Sequence, residues 1–184
     1  MPDDIRTALE RSECLFDRET VDRAVDQMAI RITLALHDEW PVIICVMNGG
    51  IIVAAELLLR LHFPLEVDYL HVTRYADTTH GGEIEWRAAP SGPVAGRNVL
   101  LVDDILDEGK TLAAAVDRLK ALGATTVRTA VLVQKTIARP AALVPDFIGL
   151  TCPDRYVFGR GMDYRGHWRN LGEIRALATH REDP

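Results

Sequence analysis

The stretch that decides the fold is Val99-Leu100-Leu101-Val102-Asp103-Asp104-Ile105-Leu106-Asp107-Glu108-Gly109-Lys110-Thr111. It opens on a continuous apolar run, which is typical of a strand buried on both faces of a parallel sheet. Four acidic residues and a glycine follow, and then apolar residues recur at helical spacing. We therefore predict a strand over Asn98–Val102, an acidic loop, and a helix over Thr111–Leu122. Parallel sheets bind ligands at the carboxyl ends of their strands, so this loop is the first candidate site.

The end of the stretch matches part of a phosphate-binding P-loop, GxxxxGK[ST], at Gly109-Lys110-Thr111. The first glycine of that motif would fall at position 104, which is Asp, so the sequence excludes a P-loop. The start of a helix still offers free backbone amides and a partial positive charge to a phosphate. The Thr111 hydroxyl can donate one more hydrogen bond.

Carboxylates beside this phosphate site indicate a sugar. Asp103 and Asp104 accept hydrogen bonds when ionised, and so can hold a vicinal diol directly or through a metal. The combination describes a ribose 5-phosphate site, with Asp107 near the reacting part of the sugar. The alternative is a solvated acidic turn capped by Asp107. Four acids in six residues directly after a buried strand disfavour it.

Apolar strands and helices alternate on both sides of this stretch. Apolar residues recur at helical steps from Val21 to Leu36, behind Asp17 as an N-cap. The remaining predicted elements are strands at Val42–Met47, Leu65–Thr73, Val127–Val133 and Asp146–Thr151, and a helix at Ile51–Leu61. This pattern predicts a single α/β domain with a mostly parallel central sheet and helices on both faces. The long polar connection over 74–96, with a short alternating segment at Glu83–Arg87, is typical of a functional or mobile loop.

Composition narrows the classes of function. The chain has 184 residues and a net charge of -6, with 21 basic and 27 acidic residues, which disfavours extended nucleic-acid binding. No apolar run reaches the ~20 residues of a membrane span, and the N-terminus lacks a signal-peptide layout, so we expect a cytoplasmic protein without a membrane partner. The three cysteines have no CxxC spacing, and we expect them to be reduced and buried.

Residues 99–111 closely resemble the phosphoribosyl pyrophosphate (PRPP) motif of type I phosphoribosyltransferases, especially the hypoxanthine-guanine enzymes. Other pieces match that family in the right order across about residues 40–172. The resemblance implies a core over about 40–150, a small hood built from about 1–20 and 151–184, and a mobile lid over about 74–96. It also implies a homodimer or homotetramer.

The resemblance assigns roles to individual residues. It implies PRPP binding by Asp103, Asp104, Asp107, Glu108, Gly109, Lys110 and Thr111, and pyrophosphate contacts from Asn48, Gly49 and Arg169. It implies purine contacts from Ile105, Lys135, Tyr156, Val157 and Asp163, and a lid containing Arg74 and Tyr75. A Mg²⁺ cofactor would be held by Asp103, Asp104 and Asp163. Taken alone, Lys135 would be a solvated strand terminus, and Tyr156 and Phe158 would be core aromatics.

The activity implied is Mg-dependent conversion of hypoxanthine, guanine or both, with PRPP, to IMP or GMP and pyrophosphate. Asp107 would act as general base or charge stabiliser. The alternatives are a xanthine-preferring sister enzyme and a regulator that binds PRPP without catalysis. The chain departs from common family residues at Asn48, often Lys, at Glu108, often Thr, and at Arg74, usually Ser or Thr. We expect Glu108 to face solvent and to offer only its backbone amide.

Overall fold

The computed structural model describes residues 3–74, 84–137 and 144–178. Its helices are α1 (Asp3–Glu10), α2 (Arg18–Leu36), α3 (Ile51–Leu58) and α4 (Lys110–Ala121). Its strands are β1 (Ser12–Phe16), β2 (Val42–Met47), β3 (Glu66–Arg74), β4 (Ile84–Ala88), β5 (Asn98–Leu106), β6 (Thr126–Lys135), β7 (Phe147–Cys152), β8 (Val157–Phe158) and β9 (Ile174–Leu177). No helix in these ranges is long and apolar enough to cross a membrane.

Six strands form the central sheet in the order β4-β3-β2-β5-β6-β7. All neighbours pair in parallel except β3 and β4, which form an antiparallel hairpin. The chain leaves β2 to build β3 on one side and returns to build β5 on the other. Such a reversal opens a crevice at the carboxyl ends of the two strands, where α/β sheets bind ligands.

Helices cover both faces of this sheet, which confirms the predicted α/β class. Ile43 and Cys45 of β2 point to one face and pack in the core formed with α2 and α3. Ile44 and Val46 alternate to the other face and pack in the core formed with α4. Because both faces of β2 are buried, its sequence is a continuous apolar run rather than an alternating one.

The central strand β5 is longer than predicted. The expected strand end at Val102 is wrong, because the strand continues to Leu106 and the acidic pair lies within it. Asp103 and Ile105 pair in parallel with Val131 and Val133 of β6. Carboxylates have low strand propensity, but here the neighbouring strand supplies backbone partners that outweigh that preference.

A second, three-stranded antiparallel sheet joins the two ends of the chain in the order β1-β9-β8. The Arg175 side chain of β9 fastens it by donating from Nε to the Ser12 hydroxyl at 2.7 Å. The Trp168 indole donates to the Ile5 carbonyl of α1 at 2.9 Å, which attaches the first helix to the loop before β9. This sheet carries residues 156–170 to the ligand-binding edge of the main sheet.

The cysteines divide into two kinds. Cys45 and Cys152 are buried in the core, as expected, whereas Cys14 is exposed, so the prediction is wrong for that residue. The reason is that Cys14 lies on β1, which is only partly covered. Burial, with the nearby charges of Asp103 and Asp104, raises the pKa of the Cys45 thiol to about 12. Cys45 is therefore an unreactive core residue.

The base of the β3–β4 hairpin is fastened by Asp68. Its carboxylate accepts hydrogen bonds from the backbone amides of Tyr69, Ser91 and Gly92, each at 2.8 Å. Partial burial raises the pKa of Asp68, but these hydrogen bonds outweigh burial and leave its pKa lowered. The ionised carboxylate therefore ties β3 to the segment that leads from β4 to β5.

We expect Asp68→Ala to lower the free energy of unfolding by about 1–2 kcal/mol at pH 7, because three amides lose a charged acceptor. The exposed Asp117 of α4 is the control, and Asp117→Ala should have little effect. Since the folded pKa of Asp68 is lowered, its contribution is complete above the unfolded value of about 3.9 and is lost as pH falls further. Urea unfolding at neutral and acidic pH measures both effects. An undiminished difference at acidic pH would contradict the assignment.

Candidate active site

A cleft of about 870 Å³ opens at the carboxyl ends of β2, β5 and β6. Every site residue predicted from the sequence lines this cleft wherever the structure describes its side chain. These residues are Asn48, Gly49, Asp103, Asp104, Ile105, Asp107, Glu108, Gly109, Lys110, Thr111, Lys135, Tyr156, Val157, Asp163 and Arg169. The Arg74 side chain and all of Tyr75 lie outside the described residues, so the lid assignments stay predictions.

Two neighbouring carboxylates form the buried floor of the cleft. Asp103 and Asp104 are 8% and 7% exposed, and an Asp103 carboxylate oxygen accepts a hydrogen bond from the Asp104 amide at 2.9 Å. Burial raises the pKa of both groups, and the charge of Asp104 raises that of Asp103 further. The positive charge of Arg169 opposes the rise only in part. Such a pair favours a ligand that brings hydroxyl donors or a cation.

The turn after β2 lies directly against Asp104. A Cβ atom added to Gly49 would stand 2.1 Å from Oδ2 of Asp104, so no larger residue fits without displacing the carboxylate. The peptide bond between Met47 and Asn48, just before this glycine, is cis. The turn therefore brings backbone groups against the buried carboxylate floor.

The start of α4 is a candidate anion site. Gly109 has a φ of 82°, a left-handed conformation that glycine adopts without strain, and as the N-cap residue it has no side chain to cap the helix amides. Those amides could bind a phosphate. Glu108 is half exposed and forms an ion pair with Lys110 at 3.0 Å, which compensates its charge beside this candidate site. That exposure agrees with the solvent-facing side chain expected for Glu108.

Lys135 ends β6 with its side chain directed into the cleft. It is 9% exposed, which makes the solvated-terminus alternative wrong. Its Nζ donates to Oδ2 of Asp107 at 2.8 Å and to Oδ1 of Asp154 at 3.4 Å. Burial by itself lowers the pKa of Lys135, but the two carboxylates outweigh it and leave the pKa raised. Lys135 therefore remains a cationic hydrogen-bond donor at neutral pH and cannot serve as a base.

The aromatic residues of the loop after β7 take different positions. Phe158 is fully buried, as a core aromatic should be, whereas Tyr156 is 49% exposed, so the core alternative is wrong for Tyr156. The Tyr156 hydroxyl donates to the backbone carbonyl of Asp163 at 3.1 Å, and its ring meets Tyr164 edge-on at 5.6 Å. One ring face of an aromatic held in this way can stack on a planar ligand.

Arg169 and Asp163 hold each other in place. The Arg169 guanidinium contacts Asp163 Oδ1 at 2.6 Å and donates to the Gly161 carbonyl at 2.6 Å. The other Asp163 oxygen accepts from the Gly166 amide at 2.6 Å. Both side chains are therefore set in position before a ligand binds.

Sequence reasoning missed three titratable residues of the cleft. Asp154 contacts Lys135 directly, and its place in the segment before Tyr156 was the available signal. His71 and Arg87 come from the β3–β4 hairpin and also line the cleft. The register between those two strands was not readable from the sequence, because the connection between them is long and polar.

Comparison with known proteins agrees with this geometry. Residues 13–165 match the family model of the phosphoribosyl transferase domain. Over 164 residues the chain is 30% identical to the hypoxanthine-guanine phosphoribosyltransferase of Bacillus subtilis. The aligned region covers 89% of this chain and 91% of that protein. The chain belongs to the phosphoribosyltransferase family. It is also 30% identical to the hypoxanthine-guanine-xanthine phosphoribosyltransferase of Tritrichomonas foetus, over 89% of this chain and 90% of that one.

A comparison of folds agrees with this assignment of architecture. A crystal structure of a hypoxanthine phosphoribosyltransferase from Staphylococcus aureus superposes with a TM-score of 0.84 at 24% identity, covering 90% of this chain and 91% of that one. The crevice between β2 and β5 thus lies at the carboxyl edge of the main sheet of a phosphoribosyltransferase fold. The acidic floor lies near the end of β5 and the candidate anion site at the start of α4, so one continuous segment of the chain carries both.

We expect Gly49→Ala to lower the free energy of unfolding by about 1–3 kcal/mol, because the new methyl group displaces a buried carboxylate in packed surroundings. Gly92→Ala is the matched control, since a Cβ there meets only Asp68 Oδ2, at an ordinary 3.5 Å. Urea unfolding of both variants measures the difference. Equal stability of the two variants would show that the Asp104 carboxylate is not held against the turn.

Proposed function

We propose that this phosphoribosyltransferase acts in purine salvage, converting hypoxanthine, guanine or both, with PRPP, to IMP or GMP and pyrophosphate. The observation that carries the proposal is the contact between Lys135 and Asp107 at 2.8 Å. It places a cationic donor and a carboxylate acceptor side by side, in the same cleft as the half-exposed ring of Tyr156. A 6-oxopurine needs a donor for its exocyclic oxygen, an acceptor for an imidazole proton and a surface for stacking.

Specificity for 6-oxopurines follows from the state of Lys135. Its raised pKa keeps it protonated, so it donates to a carbonyl oxygen and has no acceptor for the amino group of adenine. A site built on a buried donor discriminates strongly against a mismatched ligand, because the mismatch leaves polar groups unpaired. Val157 is buried beside Tyr156 and is the residue whose backbone we propose to meet the base edge.

The reaction joins a purine ring nitrogen to C1 of the ribose while pyrophosphate leaves. We propose that Asp107 accepts the imidazole proton or stabilises the positive charge that develops there. Asp103 and Asp104 receive the ribose hydroxyls, and the amides of residues 108–111 with the Thr111 hydroxyl hold the 5-phosphate. Asn48, Gly49 and Arg169 contact the pyrophosphate. Catalysis then depends mainly on positioning and electrostatics.

The charge of the cleft supports a cation as cofactor. Its lining has six carboxylates, Asp103, Asp104, Asp107, Glu108, Asp154 and Asp163, and four cationic side chains, Arg87, Lys110, Lys135 and Arg169. A polyanionic diphosphate therefore enters a cleft whose own charge is negative. The described residues include no group of three or more His, Cys, Asp or Glu that could form a complete metal cage.

This donor set fits Mg²⁺, which uses one or two carboxylates and takes its other ligands from substrate oxygens and water. We propose that one or two of Asp103, Asp104 and Asp163 hold the ion directly and that the others reach it through water. When bound, it would neutralise charge on the leaving pyrophosphate. Arg169 keeps the Asp163 carboxylate oriented by its contact at 2.6 Å.

We also propose a cytoplasmic homodimer or homotetramer. Large apolar side chains remain exposed on the helical surface, with Leu34 of α2 76% exposed and Leu59 after α3 79% exposed. A second copy of the chain would cover such residues. Light scattering on the purified protein measures the oligomeric state.

Pyrophosphate release with PRPP and Mg²⁺ tests the proposed function directly, with hypoxanthine, guanine, xanthine and adenine offered separately. We expect turnover with hypoxanthine, guanine or both and none with adenine. A marked preference for xanthine would assign the sister activity instead. PRPP binding without turnover on any base would identify a PRPP-binding regulator.

Asp107→Asn removes the proposed base while keeping a side chain of the same size. We expect kcat to fall by about 10²- to 10⁴-fold, the usual contribution of a general base, with little change in the KM for PRPP. Asp117→Asn, on the exposed face of α4, is the control. A normal kcat in Asp107→Asn would remove Asp107 from the mechanism.

Lys135→Met removes the proposed donor and retains the apolar stem. We expect kcat/KM for hypoxanthine to fall by about 10- to 100-fold, which corresponds to losing one charge-assisted hydrogen bond. The KM for PRPP should change far less. The exposed Lys120 of α4 gives the matched control, Lys120→Met. An unchanged ratio of hypoxanthine to adenine activity in Lys135→Met would show that another group reads the base.

A further inference from the structure

We infer that Arg160, which does not line the cleft, is a positioning residue for its pyrophosphate side. The inference rests on the proposed function for the identity of that ligand. Arg160 carries its charge in an unusual place, because the residue is only 4% exposed. A buried guanidinium persists only where its donors are satisfied and its charge is compensated.

The partners of Arg160 come from three separate elements. Its guanidinium forms ion pairs with Asp22 of α2 and Glu56 of α3. Its Nε donates to the Gly172 carbonyl, just before β9, at 2.5 Å. One side chain thus connects both helices on this face of the main sheet to the sheet formed by the chain ends.

The backbone at Arg160 is held in an unfavourable conformation. Gly159, Arg160 and Gly161 have φ values of 102°, 50° and 107°, so three successive residues are left-handed. Glycine tolerates this, whereas an arginine adopts it only when its surroundings determine it. The backbone amide of Arg160 donates to the Leu171 carbonyl at 3.1 Å, and the backbone amide of Gly161 donates to the Arg169 carbonyl at 2.9 Å. Together with the side-chain contacts, these bonds fix the turn 159–161.

This turn contacts the proposed pyrophosphate site directly. A Cβ on Gly161 would lie 2.1 Å from the Gly49 carbonyl oxygen and 3.3 Å from Cβ of Asp104. The Gly161 carbonyl accepts a hydrogen bond from Arg169 at 2.6 Å. The turn 159–161 therefore touches the β2–α3 turn on one side and orients Arg169 on the other.

Glu56 links Arg160 to the β2–α3 turn. It lies on α3, which starts immediately after the Asn48-Gly49-Gly50 turn, so the Arg160–Glu56 pair ties that helix to the turn 159–161. The other Glu56 oxygen, Oε2, is buried and has no hydrogen-bond partner within the described ranges. Arg160 thus sets the separation between the two groups that would bind the pyrophosphate, Gly49 and Arg169.

The test separates positioning from simple stabilisation. Arg160→Met, Arg160→Lys and the double variant Arg160→Met/Glu56→Leu are compared with wild type by urea unfolding and by titration with PRPP, pyrophosphate and IMP. The double variant removes both members of a buried ion pair, a change that often restores stability. Arg175→Met is the matched control. Arg175 is a hydrogen-bonded arginine of the three-stranded sheet β1-β9-β8, and its contacts reach Ser12 and Glu173.

We expect Arg160→Met and the double variant to weaken PRPP and pyrophosphate binding by about tenfold or more, because displacement of a binding group by about 1 Å has effects of this size. IMP, which has no pyrophosphate, should bind nearly as in wild type. Arg160→Lys keeps the charge but cannot make all three guanidinium contacts, so its affinities for PRPP and pyrophosphate should lie between those of wild type and Arg160→Met. Arg175→Met should leave all three affinities unchanged.

The inference is overturned if the double variant regains wild-type pyrophosphate affinity together with stability, or if all three ligands weaken equally. If Arg160→Met does not fold, the double variant and Arg160→Lys decide the question by the same comparison. Wild-type protein that binds PRPP and pyrophosphate but transfers no purine would contradict the proposed function, and the effect of Arg160 on pyrophosphate would still be measurable.

Discussion

The parallel pairing of β5 with β2 and β6 is the constraint on which the rest of the structure depends, because it holds two carboxylates at the buried end of the central strand. The backbone of Asp103 is fixed by its pairing with Val131 of β6, and Asp104 follows it directly. The turns around them are correspondingly close. Gly49 is limited to a hydrogen atom by Asp104, and Gly161 by the backbone of Gly49. The shape of the cleft is thus set by how closely backbone can approach a buried charge.

The electrostatics differ between the two sides of the cleft. On the floor, burial raises the pKa of the Asp pair, so that side needs donors or a cation from the ligand. On the side proposed for the base, Lys135 already pairs with Asp107 and Asp154, so these groups have partners within the protein before a ligand binds. A substrate with a charged sugar phosphate and an uncharged base matches this division. Polar atoms of the base would take over hydrogen bonds that Lys135 and Asp107 make with each other in the free protein.

Local patterns were sufficient for most of the fold and for the cleft floor. Continuous apolar runs predicted β2, β5 and β6, and the Asp-rich stretch with Gly109 predicted a sugar-phosphate site before any relative was considered. Propensity failed where partners outweighed it, as in the continuation of β5 through Asp103 to Leu106. Exposure could not be read from residue type either. Tyr156 lines the cleft, while Phe158, two residues on, is fully buried.

The part of the site that no local pattern could reveal is made by long-range pairs. Arg160 and Asp22 are 138 residues apart in sequence, and Arg160 and Glu56 are 104 apart. Each residue alone is an ordinary charged side chain on a helix or in a loop, and only the tertiary fold brings them together. A motif identifies groups that touch a ligand, because their chemistry is tied to it. A residue that sets the distance between those groups has no such chemical signature. Its signature is geometric: a buried charge, a left-handed backbone and partners drawn from several elements.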